Sequence, residues 1–221
     1  MTPVPLTRPD QTPDQRRATI EAAELPQSVP ALLDEAVRDS PDQMLWDFFE
    51  DGTQTTYAQG QHDSRRMAAL LAELGVRQGD KVAVMLPNVC EMPLVWLALG
   101  RLGAVMVPVN TRYSPRELDY AVTNANAKFL VIHQELAEIL KAATVTPTVA
   151  VVASDDWADR WQRADAQDCP QVTVQCDDLL NIQYTSGTTG LPKGCLLSHR
   201  YWLTIGMVNA WRDGQRFGRV L

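Results

Sequence analysis

The densest chemistry in this 221-residue chain lies near its C-terminal end, in the run Tyr184-Thr185-Ser186-Gly187-Thr188-Thr189-Gly190-Leu191-Pro192-Lys193-Gly194. Three glycines let a backbone turn and approach a ligand without Cβ obstruction. The hydroxyls of Thr185, Ser186, Thr188 and Thr189, together with the Lys193 ammonium, supply donors for phosphate oxygens. The run therefore reads as a phosphate loop. It is not a Walker A loop, which needs G-x-x-x-x-G-K-[ST]. Here Leu191 and Pro192 separate Gly190 from Lys193, and a glycine follows the lysine. The dinucleotide fingerprint G-x-G-x-x-G does not occur anywhere in the chain.

Composition narrows the partners of such a loop. Twenty basic against 27 acidic residues give a net charge of −7, which argues against a surface that tracks nucleic-acid phosphates and for a small nucleotide instead. No apolar run reaches the roughly 20 residues needed to span a bilayer. The N-terminus lacks a basic region followed by an apolar core, so a cytoplasmic location is the expectation. Cys90, Cys169, Cys176 and Cys195 show no C-x-x-C spacing, and His62, His133 and His199 lie far apart. The cysteines read as buried or half-buried thiols in a reducing compartment, not as zinc ligands or a disulfide framework.

The elements that must position the loop read as an alternating α/β series. Residues 1–26 carry five prolines with no apolar period and are expected to form a flexible arm; residues 27–221 form the domain. Ser28 caps an amphipathic helix with Leu32, Leu33, Ala36 and Val37. Met44 to Phe49 and Thr53 to Tyr57 flank Asp51-Gly52, a strong hairpin signal. A helix over Ala58 to Leu74 ends at Gly75. Strands are expected at Lys81 to Leu86, Ala104 to Val109, Lys128 to His133 and Thr148 to Ala153, with helices at Glu91 to Leu102 and Ser114 to Asn124. The last of these has Ser114 and Glu117 spaced as a capping box, with Pro115 at the first helical position. Asp178 to Thr185 reads as a strand, so the loop leaves a strand end, and the next helix starts near Ser198 or His199 and runs through Trp211. Repeated βαβ units imply a mainly parallel sheet with helices on both faces. Ligands of such sheets collect outside the carboxyl ends of the strands, which is where this loop would sit.

Thr185 to Gly194 resembles the signature loop of the adenylate-forming superfamily, which holds acyl-CoA synthetases, the adenylation domains of peptide synthetases, and luciferases. Cys195-Leu196-Leu197-Ser198-His199 resembles the segment leading into that family's next helix. Leu102 to Leu118, with Asn110-x-Arg112-Tyr113-Ser114-Pro115-x-Glu117-Leu118 at its end, resembles the core motif of the CoA-ligase branch; peptide-synthetase domains usually carry an Asp-Pro-x-Tyr-Pro form there. The resemblance runs from about residue 28 to the last residues.

The resemblance implies activation of a carboxylic acid in two steps. The carboxylate attacks the α-phosphate of ATP and releases pyrophosphate; CoA then displaces AMP from the acyl-adenylate. Thr185, Ser186, Thr188 and Thr189 would donate hydroxyls to the β- and γ-phosphates. Gly187 and Gly190 would permit close backbone approach, and Lys193 would place its charge on the outer phosphates. Lys193 and Thr185 are the implied catalytic residues, and Thr185 the implied ligand for Mg2+. His199 reads as a capping or packing residue, not a general base. Trp157 and Trp161, one helical turn apart, read as core aromatics, and Arg112 and Tyr113 as loop anchors.

The family's aromatic-Gly-x-Thr-Glu segment, its ribose-binding Asp, its hinge and its small C-terminal domain do not occur in these 221 residues. The chain thus reads as part of the large N-terminal domain of an adenylate-forming enzyme, a truncated product or fragment expected to be inactive alone and to associate through an exposed sheet edge. The alternatives left open are a stand-alone piece that binds ATP or pyrophosphate without turnover, an adenylation domain of another branch, and an unstable remnant.

Overall fold

The computed structural model describes residues 12–50, 52–185 and 192–211. Its helices are α1 (Pro13–Glu21), α2 (Val29–Asp39), α3 (Tyr57–Glu73), α4 (Glu91–Leu102), α5 (Pro115–Ala125), α6 (Asp155–Arg163) and α7 (His199–Trp211). Its strands are β1 (Met44–Phe48), β2 (Thr53–Thr56), β3 (Lys81–Met85), β4 (Val105–Pro108), β5 (Phe129–His133), β6 (Thr148–Val152), β7 (Leu179–Thr185) and β8 (Lys193–Ser198). β1 and β2 form a small antiparallel hairpin. The remaining strands form one sheet in the order β6-β5-β3-β4-β7-β8, parallel except for the β7–β8 pair.

Local sequence explains most of these boundaries. Thr56 and Gln59 form a capping box at the start of α3, and Ser114 and Glu117 form another at the start of α5, behind Pro115. α3 stops where Gly75 takes φ +101°, a left-handed turn that a side chain would strain. β3 is buried along Val82, Ala83, Val84 and Met85, as a central parallel strand covered on both faces must be.

The two faces of the sheet carry separate cores. Val82, Val84, Met106 and Val131 pack with Leu70, Leu71, Leu94, Val95, Leu99 and Trp157 from α3, α4 and α6. Ala83, Met85, Leu130 and Ile132 point the other way, against Leu118 and Val122 of α5. The alternating α/β reading, with helices on both faces of a mainly parallel sheet, is the observed fold.

Two elements differ from the sequence reading. Lys193 to Ser198, expected to lead straight into a helix, is the edge strand β8, paired antiparallel with β7. The arm contains α1, started by a capping box between Thr12 and Gln15 with Pro13 behind it. None of its residues is buried, which is why no apolar period marked it; Ile20, Ala23 and Leu25 nonetheless pack against Met207 of α7. Asp51 of the expected hairpin turn lies outside the described residues, while Gly52 takes φ +76°. On β8, Leu196 is 62% exposed.

One ionic network ties the first helices together. Arg101 of α4, its side chain only 8% exposed, donates to both carboxylate oxygens of Asp34 on α2, at 3.1 and 2.8 Å, and to Ser64 Oγ on α3 at 3.0 Å. Burial pushes the Asp34 carboxyl up, but Arg101, with Gln61 and Arg65, outweighs it and the pKa is lowered. Arg101→Ala leaves the Asp34 carboxylate half-buried without its main partner and is expected to lower unfolding free energy by about 2–3 kcal/mol. Arg17→Ala, which removes a solvent-exposed pair with Glu21, should leave stability unchanged. Urea unfolding of both variants checks the contrast.

Candidate functional site

The β7–β8 hairpin builds the site. Its register pairs Leu179↔Ser198, Asn181↔Leu197, Ile182↔Leu196, Gln183↔Cys195, Tyr184↔Gly194 and Thr185↔Lys193. Thr185 and Lys193 are therefore directly opposite each other at the mouth, and the stretch between them is the hydroxyl- and glycine-rich run. Thr185 Oγ1 lies 3.5 Å from the Lys193 carbonyl oxygen, too long for a strong hydrogen bond. Ser186, Gly187, Thr188, Thr189 and Gly190 lie outside the described residues. Of the seven predicted site residues, the structure describes Thr185 and Lys193 and brings them together.

Strand alternation assigns the hairpin's faces. Ile182 and Tyr184 belong to the face that packs against Ala125, Val105 and Val107. Gly194 lies on that same face: a Cβ there would come within 2.9 Å of Ile182 Cγ2, and Ile is branched at Cβ and yields poorly. The glycine after the lysine is thus required by the packing of the hairpin. Asn181, Thr185 and Lys193 share the opposite face. Asn181 is 2% exposed and accepts the Trp96 indole N–H at 2.8 Å, which fixes β7 against α4.

The carboxyl end of β7 meets that of β4, since the two strands run parallel with Met106 opposite Asn181. The segment after β4 consequently arrives beside the loop. Asn110 Oδ1 accepts the Arg112 backbone N–H at 2.9 Å, and Tyr113 packs on the α5-side core, so Asn110 and Tyr113 hold the turn into α5. Burial, followed by the neighbouring Tyr120 and Tyr113, raises the pKa of Tyr184 above its usual value and keeps its hydroxyl protonated.

The remaining candidates resolve into structure. Trp157 is buried in the α3–α4 core, and Trp161 is partly buried beside it, carrying the Arg66 guanidinium 4.3 Å above its ring. Cys90, Cys169 and Cys176 are half-buried thiols, whereas Cys195 on the edge strand is exposed. That exposure corrects the expectation of a buried or half-buried thiol there and follows from the missed strand β8. Among the described residues no three His, Cys, Asp or Glu side chains gather as a metal site. A hard cation at Thr185 would draw its other ligands from phosphate oxygens and water.

His199, at the start of α7, is fully buried. Its Nδ1 accepts the Val29 backbone N–H at 3.1 Å, so it satisfies an orphan donor at the N-terminus of α2. The proton then sits on Nε2, which finds no partner among the described residues. Burial lowers the pKa to about 4, against a smaller opposing effect of Asp178. A neutral imidazole fixed between α2 and α7 joins two helices, with its basic nitrogen already engaged.

A parallel sheet ending in a Thr/Ser/Gly hairpin loop at its carboxyl edge defines the class, and comparison with known proteins agrees. The chain belongs to the AMP-binding enzyme family, whose profile matches residues 33–219. It is 37% identical over 149 residues to long-chain-fatty-acid–CoA ligase FadD13 of Mycobacterium tuberculosis, covering 65% of this chain and 29% of that protein. It is 38% identical over 149 residues to a feruloyl-CoA synthase of an Amycolatopsis species, covering 67% of this chain and 29% of that protein. The fold superposes on the N-terminal domain of FACL13 from Mycobacterium tuberculosis with a TM-score of 0.72 and 32% identity, over 78% of this chain and 44% of that domain. The chain thus spans under a third of the length of these curated relatives. No helix among the described residues is long and apolar enough to cross a membrane.

The buried histidine makes stability pH-dependent. Its folded pKa, about 4, lies below the ordinary value near 6.5. Above about pH 6.5 both states are neutral at this site; as pH falls toward 4 the unfolded chain takes a proton that the folded chain refuses. Unfolding free energy should therefore fall with acidification through that window, by up to about 3 kcal/mol from this group alone. Urea unfolding from pH 7 to 4 on wild type and His199→Gln checks it: the variant's curve should be flatter by that amount.

Proposed function

We propose that this chain supplies the phosphate-handling part of an ATP-dependent carboxylic acid:CoA ligase, which forms an acyl-adenylate and then an acyl-CoA thioester. The observation that carries the reading is the pairing of Thr185 with Lys193 across the mouth of the hairpin. It closes the Thr185 to Gly194 run into a loop at the carboxyl edge of the sheet, with its cation at one root. The kinship with CoA ligases supports the same reaction class.

In the first step negative charge grows on departing pyrophosphate, and the loop's role is to stabilise it. Lys193 lies exposed at the loop root, and among the described residues no carboxylate pairs with it, so its ammonium is available to the β- and γ-phosphates. The hydroxyls of Thr185, Ser186, Thr188 and Thr189 would donate to the same oxygens, with Gly187 and Gly190 permitting close approach. Mg2+, when bound with the nucleotide, would neutralise phosphate charge beside Thr185. The carboxylic acid and CoA are the remaining substrates. The adenine, ribose and acyl contacts of such a ligase are not assigned to residues of this chain, so these 221 residues alone are proposed to hold the phosphates without turnover.

A charge-assisted hydrogen bond contributes about 1.5–3 kcal/mol, so Lys193→Ala should weaken ATP or pyrophosphate binding by roughly ten- to a hundredfold in a calorimetric titration. Pyrophosphate release by the isolated chain across a panel of carboxylic acids should be nil, and measurable turnover would sink the proposed division of labour. Equal, negligible binding by wild type and variant would sink the phosphate-loop reading itself.

A further inference from the structure

We infer that Tyr120 is a positioning residue for Lys193, tethering the exit of the phosphate loop to α5. This rests on the reading of that loop as phosphate-binding. The Tyr120 hydroxyl donates to the Pro192 carbonyl oxygen at 2.9 Å, across 72 residues of sequence. Pro192 immediately precedes Lys193 and has no N–H to offer the strand ladder, so its carbonyl is its remaining polar handle. The ladder's last pair is Thr185↔Lys193, and the side-chain contact across that pair is long. Among the described residues the Tyr120 bond thus adds a restraint from outside the hairpin, one residue before the one whose ammonium must be placed.

α5 is rigid where it is needed. Its N-terminus is closed by the Ser114–Glu117 box, and Leu118, Ala121, Val122 and Ala125 are buried. One turn beyond Tyr120, Asn124 Oδ1 accepts the Tyr184 hydroxyl at 2.6 Å. Tyr184 lies at the other root of the loop, so residues 120 and 124 hold the two ends from one helix. The Tyr120 and Tyr184 rings meet edge to face, with centroids 6.1 Å apart. Together with Tyr113, Arg116, Glu117 and Pro192 they wall a cavity of about 170 Å³. Beside that cavity the Tyr120 hydroxyl bridges from helix to loop exit. A lysine stem has four rotatable carbons; fixing its Cα is the restraint the scaffold can impose, and Tyr120 imposes it through Pro192.

Tyr120→Phe keeps the ring against Tyr184 and deletes only the tether. Amide hydrogen exchange on the ligand-free chain should show Lys193 and Gly194 exchanging about five- to tenfold faster in this variant, with β3 and β5 amides unchanged. Unchanged exchange at the loop exit, or faster exchange spread over the whole sheet, overturns the tether. In pyrophosphate titrations, Tyr120→Phe should weaken binding about fivefold in the wild-type background and not at all in a Lys193→Ala background. An equal loss in both backgrounds means that Tyr120 does not act through Lys193 and overturns the inference. If the wild-type chain binds no pyrophosphate, the failure belongs to the phosphate-loop reading, and the exchange measurement still decides the tether.

Discussion

Among the described strands the loop-bearing hairpin joins the parallel sheet through β4, and Asn181 lies at that junction, opposite Met106 and 2% exposed. A buried carboxamide without a partner would destabilise the junction by about 1–3 kcal/mol. The Trp96 indole N–H supplies that partner from α4, so this hydrogen bond ties β7 to the helix layer. Everything at the carboxyl edge inherits that position: the ladder to β8, the pairing of Thr185 with Lys193, and the approach of the turn after β4. Trp96 is held in turn by edge-to-face contact with Trp202 of α7, at 5.5 Å, which closes a circuit from the loop's strand through two helices and back to the helix that follows the loop.

The two faces of the hairpin divide the work. Ile182, Tyr184 and Gly194 face the α5 side and anchor; Asn181, Thr185 and Lys193 face the other side, where Asn181 holds the strand and the mouth residues are left for chemistry. A slip of one residue would exchange these sets, because side chains alternate along a strand. It would drive Lys193 toward Tyr184 and Ile182 and place a side chain where Gly194 leaves room for Ile182. The missing Cβ at 194 is thus a register lock as well as an accommodation of Ile182, and it sits one residue from the cation whose position it secures.

Sequence patterns identified the α/β alternation closely because these elements carry their own punctuation. Glu91 to Leu102 is a mainly apolar helix ending at Gly103, and its observed bounds coincide with those read from sequence. The capping box at Ser114 announces α5 in the same way. β8 was missed because Lys193-Gly194-Cys195-Leu196-Leu197-Ser198 has neither clean alternation nor a flanking turn of its own; its strand character comes from pairing with β7, a tertiary effect. α1 was missed for the opposite reason. Its Thr12-Pro13-x-Gln15 start was legible, but five prolines and the absence of a buried stripe outweighed it. At the site, residue types named Thr185 and Lys193, and the ladder places them opposite each other. Tyr120 and Asn124 carried no such signal, since polar residues on a helix surface acquire a role only from what the fold brings opposite them.

Charge distribution bears on the proposed polyanion at this edge. With a net charge of −7, the mean field of the protein opposes an approaching phosphate chain. That field is screened over about 8 Å at physiological ionic strength, so the charges within the first shell decide the outcome. Several cations are already engaged by carboxylates: Arg101 with Asp34, Lys128 with Asp80, Lys141 with Glu138, Arg200 with Asp177. Lys193 has no such pair among the described residues and stands at the root of a loop rich in hydroxyls and glycine. A cation held by its backbone and left without a protein counter-charge is matched to an anion that arrives and departs, as ATP and pyrophosphate must in the proposed reaction.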